Sequence, residues 1–234
     1  MTPHISAAKE EIAKLVFLAG DPLRAKWVAE KYLQNYKLVS SVRNVYFYTG
    51  EYNGKRVTVG ASGMGYGSMG IYAHELFNFY DVDAIVRIGS CGAYSKDLKV
   101  GSVVIVDKSK ADSPSYAEVS AGESYDTISP SGDLDKKIEA FAKEKGIQTF
   151  RGNVHSSNVF YSSLDLEKTI KEKEVIAVEM ESFALFVEAK RANKQAACVL
   201  TVSDIVGGSE KMTPEERVTC LENMISVALG GCCN

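Results

Sequence analysis

Apolar residues along this chain follow two alternating spacings. Short blocks rich in β-branched residues are separated by longer stretches in which apolar positions recur three and four residues apart, the pattern of strands alternating with helices in an α/β fold. Residues 14–19 (KLVFLA), 84–88 (AIVRI), 102–106 (SVVIV) and 196–202 (AACVLTV) predict buried strands. Residues 42–52 and 55–61 predict a hairpin turning at Asn53 and Gly54, and 148–154 and 175–178 are further extended segments. Helical spacing covers 22–32, 68–80, 134–145, 164–174, 181–193 and 214–229, the last with Thr213 as N-cap and Pro214 at its first position. The irregular stretch 108–131, rich in Ser, Gly, Asp and Pro, predicts a functional or mobile surface loop. No repeat of fixed period interrupts this order, so residues 1–234 are read as one domain.

Composition narrows the class. With 45% hydrophobic and 24% charged residues the chain can bury a real core. A net charge of -3 argues against a protein that coats nucleic acid or an anionic membrane, so neither is an expected partner and any bound anion should be small. There is no long apolar run of membrane-spanning character, and the first residues lack the basic-then-apolar order of a signal peptide, which predicts a cytoplasmic protein. Five cysteines without CxxC spacing suggest neither a disulfide framework nor a metal site, and the terminal Gly-Gly-Cys-Cys-Asn reads as a frayed tail.

Several residues carry chemistry. Gly20-Asp21-Pro22-Leu23-Arg24 lies where a buried strand hands over to a helix: Asp21 caps and Pro22 suits the first turn. Arg24 opposes the helix dipole there, yet is well placed to help backbone N–H groups hold an anion. Arg87 puts a permanent cation in a central apolar strand, which is costly unless a buried carboxylate or a bound anion neutralises it. The strand is predicted to run into a small-residue turn, Gly89-Ser90-Cys91-Gly92, whose amides and Ser90 hydroxyl can face a phosphate at the sheet edge. Gly63-Met64-Gly65 is another glycine-rich exit, matching neither dinucleotide nor Walker spacing. Val178-Glu179-Met180-Glu181 offers two carboxylates that project to one side of an extended backbone; an acidic helix start or a glycosidase pair are alternatives. Asp204, after Thr201-Val202-Ser203, can be a turn residue or pair with Arg217, which can also be a solvated charge.

Together with Thr2-Pro3-His4, Ser41-Val42-Arg43-Asn44 and Phe160-Tyr161, these motifs, in this order, resemble the bacterial-type, hexameric purine nucleoside phosphorylases along nearly the whole chain. The resemblance implies a single α/β domain on a mixed, partly barrel-like sheet flanked by helices, active sites completed across a dimer interface, and dimers arranged as a trimer. It implies a pentosyl transfer of purine salvage, reversible phosphorolysis of purine (deoxy)ribonucleosides to free base and sugar 1-phosphate. No cofactor is implied, inorganic phosphate being a co-substrate. Gly20, Arg24, Arg87 and Ser90 would bind phosphate with Arg43 of the neighbour; Met64, Met180 and Glu181 would hold the ribose with the neighbour's His4. Phe160, Val178, Glu179 and Ser203 would line the base pocket, and Asp204, assisted by Arg217, would be the general acid.

The sequence also departs from that family. Residues 205–212 replace a histidine-bearing loop, and Gly207 and Gly208 there suggest altered gating; 108–131 lacks the usual basic stretch, and Ser157 stands where a small apolar residue is expected beside the base. A uridine phosphorylase would need an amide and a guanidinium after Phe160-Tyr161, where Ser-Ser-Leu-Asp-Leu-Glu-Lys follows. A nucleosidase using water would leave Arg24, Arg43 and Arg87 superfluous, and a binding protein without catalysis would not need Asp204 and Arg217.

Overall fold

Five strands close on themselves and generate the geometry on which everything else is mounted. The computed structural model describes residues 1–234. Its strands are β1 (Leu15–Ala19), β2 (Gln34–Ser40), β3 (Phe47–Tyr52), β4 (Lys55–Ala61), β5 (Ala84–Ala93), β6 (Val103–Ala111), β7 (Thr127–Ile128), β8 (Thr149–Ser156), β9 (Ala177–Glu179) and β10 (Gln195–Ile205). They form one mixed sheet in the order β10-β6-β8-β9-β5-β1-β4-β3-β2, with β7 paired to β6 off this path, and β10 pairs again with β5, so β5, β10, β6, β8 and β9 make a closed, barrel-like ring. β1 to β4 extend from it as an open wing. The interior strands read as nearly continuous apolar runs because helices cover them on the outside.

The helices are α1 (Pro22–Tyr32), α2 (Gly65–Asn78), α3 (Ser115–Ala121), α4 (Leu134–Glu144), α5 (Leu166–Lys173), α6 (Ser182–Ala192), α7 (Glu216–Thr219) and α8 (Glu222–Cys233). α6 is buried along most of its length and ends at Asn193, whose left-handed φ of 53° suits its short polar side chain. A single apolar core joins the ring, the wing and α1, α2, α6 and α8. No helix is long and apolar enough to cross a membrane.

The expected α/β ring with flanking helices is present, but several boundaries differ for physical reasons. The predicted hairpin strand from 42 begins only at Phe47, because Arg43 and Asn44 take left-handed φ of 57° and 61° in a short 3-10 turn. β2 was invisible to periodicity: it is an edge strand with mostly exposed side chains. Residues 108–131 are no long loop, since β6 runs to Ala111 and α3 and β7 follow. The terminal Gly-Gly-Cys-Cys is the last turn of α8, not a frayed tail, with Cys233 buried. Gly230 and Gly231 let α8 lie against α4: a Cβ on Gly231 would fall 2.5 Å from the Ile138 Cα.

The predicted helix over 214–229 is two helices. In an unbroken helix the Arg217 carbonyl would accept from the N–H of Leu221. Instead it accepts from Arg24 Nε and Nη2 at 3.0 and 2.7 Å, and the chain restarts as α8 one residue after Leu221. Thr213 still serves the first piece, its Oγ1 accepting from Glu216 N (3.2 Å) while Glu216 Oε2 accepts from Thr213 N (2.7 Å), the reciprocal pattern of a capping box. Pro214 follows this cap at the first position of the turn, which Arg217 N closes on Thr213 O at 3.0 Å, although regular helix is counted only from Glu216.

Candidate functional site

The site lies where the sheet divides. Along one edge, β5 pairs with β1 as far as Arg87 and with β9 only from Gly92, so residues 88–91 have no strand beside them on that side. β10 accompanies β5 along the other edge throughout. The predicted turn at Gly89-Ser90-Cys91-Gly92 is therefore strand, and what opens toward a ligand is its unaccompanied edge, as at the split of an open α/β sheet. The glycines make room for side chains: a Cβ on Gly89 would lie 2.7 Å from the Arg87 guanidinium carbon, and one on Gly92 would lie 3.1 Å from Asp204 Oδ2. Arg87 can thus fold along its own strand toward the split.

Arg87 is buried, and its charge is answered on two sides. Its Nε donates to Glu179 Oε2 at 2.9 Å and its Nη2 pairs with Glu181. Burial opposes the charge of Arg87, but Glu181 and Glu179 more than reverse this and hold the guanidinium charged. Of the alternatives open in the sequence, a buried carboxylate partner is realised, by both members of the acidic pair. The third nitrogen, Nη1, is buried with no partner and faces Gly20 after β1. Thr201 Oγ1, on β10 in register with Ser90, is also buried without a partner. Two orphaned donors of this kind are costly unless a ligand completes them.

Arg24, the third residue of α1, is the second cation. Asp21 caps that helix by accepting from Leu23 N at 2.7 Å, which leaves Arg24 in the first turn, where its side chain is buried. Burial, then the neighbouring charge of Arg87, pull its guanidinium down to about 10. Two guanidinium groups close enough to disfavour each other's charge, at a helix N-terminus and an open strand edge, have the chemistry to hold a small oxyanion.

The acidic pair is held by its local structure. Glu179 ends β9, and its carboxylate accepts from the amides of Glu181 (2.9 Å) and Ser182 and from the Ser182 hydroxyl (2.6 Å), so it caps α6 as well as holding Arg87. The helix-start reading and the paired-carboxylate reading both describe it. With its carboxylate so committed, Glu179 can meet a ligand only through its backbone. Glu181 Oε1 accepts from Gly65 N at 2.8 Å, which ties the turn carrying Met64 to the same edge. Met64 is 79% exposed and Met180 half-buried beside it.

Asp204 stands at the end of β10. The register with β5 slips between Val202 and Asp204, a bulge that turns the carboxylate outward above Gly92. Asp204 Oδ1 accepts from Ser203 Oγ (2.7 Å) and Arg217 Nη2 (3.0 Å). The loop 205–212 is a short hairpin, pinned by Ile205 N to Glu210 O (3.0 Å) and Met212 N to Ser203 O (2.7 Å), with Gly207 at φ 79° in its turn. It links Asp204 directly to the helix bearing Arg217.

Phe160, 73% exposed, lies on the loop after β8, whose Ser157 N donates to Glu179 O at 2.9 Å, so the loop borders Val178 and Glu179. His4 and Arg43 lie elsewhere. His4 Nδ1 bonds Glu75 Oε1 of α2 at 2.7 Å and packs edge-on near Tyr72, and the charge of Arg43 acts on that same Tyr72. No hydrogen bond or ion pair joins His4 or Arg43 to Arg24, Arg87 or Asp204 within the chain. Glu75, Asp112 and His155 escaped sequence reasoning, because polar residues within otherwise ordinary segments carry no signal of their partners; Glu75 and His155 are buried, while Asp112 lies at the surface with its carboxylate partly covered.

Comparison with known proteins gives one consistent result. The model of the family described as "Phosphorylase superfamily" matches residues 14–228. A protein of Mycoplasma genitalium named "Purine nucleoside phosphorylase DeoD-type" is 42% identical over 233 residues, covering 98% of this chain and 97% of that one. Proteins of the same name from Bacillus subtilis (42% over 231 residues) and Oceanobacillus iheyensis (40% over 231 residues) cover 98% of both chains.

Proposed function

The chain belongs to the phosphorylase superfamily, and on that footing we propose that it is a purine nucleoside phosphorylase, a pentosyltransferase that exchanges the base of a purine nucleoside for inorganic phosphate. The observation that carries this reading is the unpartnered Nη1 of Arg87, buried beside a second guanidinium at the open edge of β5, on the strand whose end at Gly92 faces a half-buried carboxyl, Asp204, paired with Arg217. A hydrolytic enzyme needs no receptor for an oxyanion.

In this reading phosphate is held by Arg24, Arg87, Ser90 and the backbone at Gly20, with Arg43 arriving from a neighbouring subunit. The sugar lies over it, between Met64, Met180 and Glu181, with the neighbour's His4 at its far end. The base rests on Phe160, Val178, Ser203 and the backbone of Glu179. As the glycosidic bond breaks, its electron pair leaves with the purine, positive charge grows on the sugar, and a phosphate oxygen forms the new bond to the anomeric carbon. Asp204 delivers its proton to N7 of the departing purine, and Arg217 favours the carboxylate that results. No further cofactor is needed for this balance. The separation of His4 and Arg43 from the other residues within one chain supports sites shared between subunits, and we assign the assembly as a hexamer, a trimer of dimers.

The test is base release from inosine and uridine, with and without phosphate. Inosine should release hypoxanthine only with phosphate, and uridine should release no uracil; release without phosphate would make the enzyme a nucleosidase and end this reading.

A further inference from the structure

The loop that carries Phe160 is tied down by a partly buried polar chain that phosphorolysis does not itself require. Asp112 follows β6 directly, and its carboxylate draws together the end of β8 and the loop after it. Oδ1 accepts from His155 Nε2 at 2.6 Å; Oδ2 accepts from Ser157 Oγ at 2.8 Å and from Asn158 N at 3.2 Å. With Nε2–H given to Asp112, His155 Nδ1 is free to accept from the Tyr94 hydroxyl at 3.0 Å. On the far side, Asn158 Oδ1 accepts from Tyr66 N at 3.3 Å, in the first turn of α2 just after Met64. Ser157 Oγ also accepts from Val159 N at 3.2 Å, which fixes the backbone immediately before Phe160.

Tyr94 just after β5, Asp112 just after β6, His155 of β8 and Tyr66 of α2 are therefore linked in one chain that holds residues 157–159. Burial pushes the Asp112 carboxyl up, but the hydrogen bonds from His155 and Ser157 outweigh it and hold the group below the ordinary carboxylate range, as expected of an ionised anchor. The aromatic side chains beyond it, Phe160 and Tyr161, are mostly exposed and have little packing of their own to hold them. Their position is set from the base of the loop.

We propose that Asp112 is a positioning residue for the purine side of the site: through Ser157, Asn158 and His155 it sets the height of the Phe160 loop against the backbone of Val178 and Glu179. This rests on the nucleoside reading above for what Phe160 touches, but the tether itself does not. Asp112 lies apart from the oxyanion receptor, being joined to neither Arg24 nor Arg87, so its influence should fall on nucleoside and not on phosphate.

Asp112→Ala releases all three bonds. Asp112→Asn keeps an acceptor for Ser157 and Asn158 and offers an N–H to His155, which need only change tautomer and donate to Tyr94. Ser157→Ala is a milder cut that leaves the Asp112–His155 pair intact. Steady-state kinetics and hydrogen exchange of the peptide spanning 156–162 should be measured on all three variants and the wild-type. Asp112→Ala should raise the nucleoside KM about fivefold or more with the phosphate KM within about twofold, and should speed exchange at 158–159. Asp112→Asn should recover most of both losses, and Ser157→Ala should fall between. A parallel rise of both KM values, or an Asn variant as impaired as Ala, would reduce Asp112 to general stability and overturn the proposal. If the wild-type itself fails to cleave nucleosides, the functional reading falls alone. The exchange measurement then still decides the tether, and unchanged exchange in both Asp112→Ala and Ser157→Ala would overturn it.

Discussion

Asp204 shows what one residue owes to its surroundings. A carboxyl at a strand end is ordinarily a solvated turn residue; here a bulge lifts it, Gly92 leaves it space, and Ser203 and Arg217 both bond its Oδ1. Asp204→Asn keeps the shape and an acceptor but has no proton to transfer. It should lower kcat on inosine by roughly 10²–10⁴-fold while leaving phosphate binding almost as in the wild-type, read by steady-state rates and by phosphate titration. Equal losses in both would remove Asp204 from the acid role. Arg87 was legible at this scale from sequence alone, because a cation in an apolar strand demands an explanation. Its partners were not: Glu179 and Glu181 lie more than ninety residues away, and nothing local says that β9 will lie beside β5.

At the scale of elements, two departures from the periodic pattern share a cause, in that a contact from a distant segment overrides a local preference. The helix predicted over 214–229 is cut because Arg24 takes the carbonyl that would have continued it, and this same bond links the first turn of α1 to the helix bearing Arg217. The glycines at 230 and 231, which read as a helix end, are instead the contact surface between α8 and α4. Because the clash at Gly231 would be with backbone, the helices could yield only by separating. Gly231→Ala is expected to destabilise the fold by roughly 1–3 kcal/mol, despite the better helix propensity of alanine. Chemical denaturation would measure it, and an unchanged or higher midpoint would mean that the two helices are not held at this distance.

For the molecule as a whole, the division of candidate residues into two groups is the informative feature. Arg24, Arg87, Glu181, Asp204 and Arg217 gather at the split in the sheet, while His4 and Arg43 gather around Tyr72 and Glu75. A two-fold pair of subunits would bring one group to the other. Arg43→Ala and Arg87→Ala should each be inactive. Mixed dimers from co-refolding would carry one intact site of two, so random reassociation should restore about a quarter of wild-type activity. Absence of recovery in preparations shown to contain mixed dimers would rule out a shared site.

What the amino-acid order determined by itself was the class of fold, the places where strands pass into helices, and the anomaly of Arg24 and Arg87, since hydrophobic spacing and misplaced charges are local signals. Tertiary structure alone decided that five strands close into a ring and that the glycines after Arg87 stay in a strand. It also decided that the acidic pair answers Arg87 and that Asp112 anchors the Phe160 loop. Each of these depends on which segments become neighbours, and that is set by the joint burial of distant apolar faces, a quantity no window of the chain contains.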